Sequence, residues 1–129
     1  MKKADISEDI RKDILRAKQA LISAERNEKE IDLSTSANRI FVACESIAYV
    51  FLKVHFGSGS ISRQRILTKL NEIHKSAKKI YEETYDLRVQ ADYGRKAIYL
   101  PLTKENINNA LEKVKVLLKE AEESFKKTL

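Results

Sequence analysis

The sequence predicts an all-α fold, an antiparallel up-and-down bundle of about five helices that forms one domain over residues 1–129. Three observations predict it. Charged residues make up 34% of the chain against three Gly and one Pro, so helix formers abound and β-rich runs between turn residues are absent. The run R-I-F-V-A-C-E-S-I-A-Y-V-F-L-K-V, from Arg39 to Val54, is apolar or small nearly all round, as a helix must be when other elements enclose it. The flanking segments carry apolar stripes at alternating spacings of three and four, the pattern of amphipathic helices packed on that rod.

The first helix is expected to start at a capping box, Asp5 with Glu8, and to bury Ile10, Ile14, Ala17, Leu21 and Ala24 before ending near Asn27 to Glu30. Ser34, Thr35 and Ser36 offer N-caps for the central rod, which should run to about Phe56 and break at G-S-G-S, Gly57 to Ser60. That glycine-bearing turn lacks the Lys-Ser/Thr ending of a P-loop and the third glycine of a dinucleotide fingerprint. A shorter helix from Ile61 to His74 turns Ile66, Leu70 and Ile73 inward and Arg63, Arg65, Lys69 and Lys75 outward, either as a solvated face or as phosphate contacts.

The fourth helix has two stripes. Ile80, Thr84, Leu87 and Ala91 suit the core, whereas Tyr81, Tyr85, Arg88 and Asp92 form an aromatic and charged ladder suited to a cleft or an interface. Gly94 fits the position just past the helix, and the stretch to Leu102 reads as an extended connector containing Pro101. Thr103 can cap the last helix, with Glu105 near its positive end, and Ile107, Leu111, Val114, Leu118, Ala121 and Phe125 form its inward stripe.

A net charge of +6 favours encounter with polyanions such as RNA, DNA or nucleotides. The single cysteine, Cys44, lies within the rod, so no internal disulfide can form and a reducing compartment is expected. The N-terminal M-K-K-A-D-I leads into charged residues and not an apolar signal-peptide core, which makes a cytoplasmic protein the expectation. A membrane span is disfavoured as well, because the rod is shorter than the ~20 residues a bilayer needs and contains Glu45 and Ser46.

Catalytic signatures are sparse. One Cys and two His, His55 and His74, lie far apart in sequence, so neither a metal site nor a Cys–His pair is expected, and no cofactor is called for. No G-x-S-x-G elbow occurs, and the neighbouring Glu82 and Glu83 point in different directions on a helix. What remains is Arg88 with Asp92 and Tyr93, faced across the core by Glu45, which with Tyr49 forms a polar seam on the rod. A carboxylate in an apolar rod must reach solvent, meet a cation or line a polar cleft. A guanidinium steadied by a carboxylate and a phenol can bind phosphate through two parallel bonds; the plainer possibility is a structural bridge from Arg88 to Glu45.

The segment L-R-V-Q-A-D-Y-G, from Leu87 to Gly94, resembles the R-x-x-A-D-Y signature of prokaryotic HEPN domains, small helical proteins often paired with minimal nucleotidyltransferases. The stretch A-N-R-I-F-V-A-C-E-S-I-A-Y-V, Ala37 to Val50, is similar to the family's second helix, and N-N-A-L-E-K-V-K-V-L-L, Asn108 to Leu118, to its last. The resemblance extends from about Asp5 to Phe125 and implies an antiparallel helical bundle that forms a homodimer, with an Arg from each chain lining a cleft at the contact. Many such proteins are metal-independent ribonuclease toxins with an R-x(4–6)-H motif. Here Arg88 matches the Arg, but Tyr93 occupies the first position allowed for the His, and a phenol with a pKa of ~10 is a poor proton carrier near neutrality.

The expected function is therefore binding of a nucleotide, an RNA or a partner nucleotidyltransferase at a homodimer cleft in a toxin–antitoxin-like system. The expected site residues are Arg88, Asp92, Tyr93 and Tyr85, with Glu45 and Arg39. The alternatives are an endoribonuclease using Tyr93 in place of His, and a structural helical adaptor without a ligand.

Overall fold

The computed structural model describes residues 3–29, 32–59 and 62–129, with side chains from residue 6 onward. Five helices follow one another: α1 (Lys3–Lys29), α2 (Leu33–Phe56), α3 (Arg63–Ile73), α4 (Lys75–Tyr93) and α5 (Lys104–Lys126). Among the described residues there is no strand, and no helix is long and apolar enough to cross a membrane.

The rod behaves as its composition requires. α2 packs against all four other helices and buries twelve of its residues, including Ile40, Phe41, Ala43, Cys44 and Ile47. Burial of each large apolar side chain contributes about 1.5–3 kcal/mol, so α2 carries much of the hydrophobic stabilisation. Cross-helix contacts fix the directions of its neighbours. Ser36 Oγ donates to the Ala24 carbonyl (2.9 Å) and Lys53 to Asp13 (2.6 Å), which makes α1 and α2 an antiparallel hairpin. Phe41 meets Tyr81 and Phe51 meets His74, so α4 runs against α2; Lys18–Glu122 and Lys115–Glu25 set α5 against α1. The four long helices thus alternate in direction, and α3 is a short insert between α2 and α4.

The inward stripes of α1, α4 and α5 follow the expected periodicity. Ile107, Leu111, Val114, Leu118, Ala121 and Phe125 are all buried, as are Ile10, Ala17, Leu21 and Ala24. Ile14, Ile73 and Ala91 pack at the margin of the core, partly buried. Cys44 is a buried free thiol, and burial pushes its pKa up to about 12, with Glu45 adding to the rise and Thr84 opposing it.

Some ends differ from the sequence expectation. The N-cap of α2 is Asp32, not Ser34, Thr35 or Ser36; its carboxylate accepts from the Thr35 N–H at 3.1 Å. A carboxylate outranks hydroxyls here because it also binds the Thr35 side chain at 2.7 Å, while Ser36 is drawn into the core by α1. α3 begins at Arg63 with Ser62 as its cap, two residues later than Ile61. Of the expected Asp5–Glu8 box, the Asp5 side chain falls outside the described ones, and α1 already starts at Lys3, ahead of it. Gly57 and Gly94 close α2 and α4 in the left-handed region at φ 76° and 65°, and Thr103 caps α5.

Candidate functional site

Helical periodicity puts Phe41, Glu45 and Tyr49 on one line of α2, and Tyr81, Tyr85, Arg88 and Asp92 on one line of α4. The two lines meet. Phe41 packs edge-on against Tyr81 (ring centroids 5.2 Å, 71°) and tilted against Tyr85 (5.4 Å). The Arg88 guanidinium lies over the Phe41 ring at 5.3 Å and donates from Nε to Asp92 at 3.2 Å. Both charged side chains keep about one third of their surface in water (32% and 31%), so the pair is accessible yet held in place. Arg88 therefore leans on α2 through an aromatic face, and its carboxylate partner is Asp92; Glu45 is not that partner.

Glu45 and Tyr49 form the other end of the seam. Burial raises the Tyr49 pKa first, with Glu45 next, and Lys53 sits 5.9 Å over the Tyr49 ring. From the start of α3, Arg63 stacks on Tyr85 with its guanidinium carbon 3.8 Å from the ring centroid. Such a contact is worth ~0.5–2 kcal/mol and turns one of the basic residues of α3 into a wall of the seam. Tyr81 is 1% exposed and its hydroxyl has no hydrogen-bond partner. Burial and then Glu45 push its pKa up, with Arg63 acting in the opposite sense.

No protein-family model matches this chain, and no curated protein does.

The residues expected at the site divide by helical phase. Arg88, Asp92 and Tyr85 share one face with Glu45 opposite them on α2. Tyr93 follows Arg88 by five residues, ~140° round the helix, and stands 77% exposed at the end of α4. Arg39 precedes Phe41 by two residues, ~200° away, and lines a shallow cavity of about 200 Å³ with Arg16, Gln19 and Ser23 of α1. The structure thus keeps Tyr93 and Arg39 off the Arg88 face. Neither imidazole is near it: His74 lies fourteen residues, or ~21 Å of helix, before Arg88, and His55 lies near the end of α2 that packs toward His74. Among the described residues no group of three metal-ligating side chains converges.

Three features were not anticipated from the sequence. Asp86, 1% exposed, accepts from the backbone N–H groups of Ile98 (3.1 Å), Tyr99 (2.9 Å) and Leu100 (3.3 Å), with Arg95 at 3.7 Å. One turn on, Gln90 donates to the Leu100 carbonyl (2.7 Å) and accepts from the Leu102 N–H (3.0 Å), so α4 holds the connector by its backbone. His74 joins α3 to α4 by ending one and capping the other: its N–H donates to the Leu70 carbonyl and its Nδ1 accepts from the Ala77 N–H. The third is a cavity of about 240 Å³ between α3, α4 and the connector, lined by Arg63, Tyr81, Tyr85, Asp86, Arg95 and Tyr99 among others.

Proposed function

We propose that this chain is a HEPN-like protein that binds a nucleotide or RNA phosphate, or docks a partner nucleotidyltransferase, through the α2–α4 face at a homodimer contact in a toxin–antitoxin-like system. The observation that carries the reading is Arg88. Asp92 occupies its Nε and Phe41 supports its plane, so an anion meets a guanidinium that has already lost much of its rotamer freedom. Binding is favoured over RNA cleavage because no imidazole stands near Arg88 and Tyr93 points to another side of the helix. The partly exposed Arg88–Asp92 pair of α4 is also on the surface a second copy would cover.

The test is titration of the purified chain with mononucleotides and short RNAs at low salt, beside Arg88→Ala, together with its mass in solution. Loss of one charge-assisted contact should weaken binding by roughly tenfold, and affinity should fall as salt rises. Flat titrations at low salt would sink the reading. Cleavage of RNA that disappears with Arg88→Ala would instead make the protein an endoribonuclease, and retention of a protein partner alone would make it an adaptor.

A further inference from the structure

The cavity between α3, α4 and the connector shares Arg63, Tyr81 and Tyr85 with the seam, but neither Arg88 nor Asp92 lines it and it is built differently. Its acidic residues are already engaged. Asp86 accepts from three backbone amides and Gln90 and lies beside Arg95, while Glu82 takes a hydrogen bond from the Tyr99 hydroxyl (3.2 Å) and pairs with Lys78 (3.8 Å). Its donors are not. Among the described residues Arg63 is in no ion pair and has the Tyr85 ring as its support. The hydroxyl of the nine-tenths buried Tyr81, on the cavity wall, makes no well-formed hydrogen bond and has Arg63 as its neighbouring donor. A buried hydroxyl without a partner is costly, and a group that fills its place is stabilised there.

We propose that this cavity is a binding site for a small planar molecule carrying one oxyanion, a carboxylate or a phosphate. The oxyanion meets the Arg63 guanidinium and the Tyr81 hydroxyl, and the ring lies among Leu67, Ile98 and the tyrosine faces. At about 240 Å³ the space falls below the ~300–1,000 Å³ of pockets for drug-sized ligands, which limits the occupant to a single ring system and excludes an RNA strand. Stacking on Tyr85 already fixes one face of Arg63, leaving its edge for two-point recognition.

Calorimetric titration of the full chain with benzoate, phenyl phosphate and inorganic phosphate tests the site and separates the sources of the oxyanion. Benzoate or phenyl phosphate is expected to saturate the protein at roughly tenfold or more higher affinity than phosphate, because only they fill the apolar part. Tyr81→Phe removes one oxygen, and Arg63→Met removes the charge while keeping the stem; each is expected to weaken the tighter probe by roughly tenfold. Tyr81→Phe is expected to melt no lower than the parent, so its loss of binding is not a loss of fold. The proposal is overturned if no probe saturates, if phosphate binds as well as the ring-bearing probes, or if both variants bind like the parent. It is also overturned if binding falls with Arg88→Ala and not with Arg63→Met, since the ligand then sits on the outer face.

Discussion

Asp86 shows how much one side chain decides. A buried, ionised carboxylate is costly unless hydrogen-bonded, and here backbone N–H groups of three consecutive residues converge on it. In return those amides, on a connector with no regular structure of its own, are satisfied. Asp86→Ala should therefore destabilise the protein by about 3 kcal/mol, seen as a lower urea midpoint. Asp86→Asn, which keeps the shape but sets an NH2 against backbone N–H groups, should recover only part of that. An unchanged midpoint in the alanine variant would mean that the connector is held by Gln90 and packing alone. Arg88 differs from Asp86 in kind: it is exposed enough that its removal should alter binding and leave the midpoint nearly unchanged.

Among the elements, the α3–α4 corner turns on His74. Its Nδ1 accepts from the Ala77 N–H, so the ring proton belongs on Nε2, from which it donates to Glu120 of α5. One imidazole thus caps α4 and ties that end of the helix to α5, while its ring packs edge-on against Phe51. His74→Ala should cost about 1–2 kcal/mol in thermal or urea unfolding; His74→Asn, a good N-cap too short for Glu120, should regain roughly half. If the asparagine variant is no better than alanine, the cap is not what His74 contributes. At the other end of α4, Gly94 takes a left-handed turn at φ 65° with nothing crowding its Cα, so the helix stops there for conformational reasons and not for want of space.

For the whole molecule, α2 is sealed by its four neighbours, and that enclosure has a consequence for alkaline stability. The Cys44 thiol is raised by burial to about 12 from 9.0, and the Tyr81 and Tyr49 phenols are raised above 10.0. All three are neutral in the fold, and the unfolded chain releases their protons first. Their contribution is fully present below about pH 9 and is lost as pH climbs toward the folded values, at ~1.4 kcal/mol per pH unit for each proton. Urea midpoints measured from pH 8 to 10.5 should fall, with Cys44→Ala showing a shallower fall between pH 9 and 10. Parallel curves for the two proteins would show that the thiol titrates alike in both states. The sequence by itself determined the all-α class, the enclosed rod, the inward stripes and the Gly94 and Thr103 ends, because a helix's buried face and its caps are set by residues a few positions apart. It also brought Arg88, Asp92 and Tyr85 onto one face. Only the tertiary structure decided that the connector folds back on Asp86, that Arg63 crosses from α3 to Tyr85, and that Tyr93 and Arg39 stand away from Arg88. Those placements depend on loop return and on the rotation of one helix against another, set by packing between residues distant in sequence.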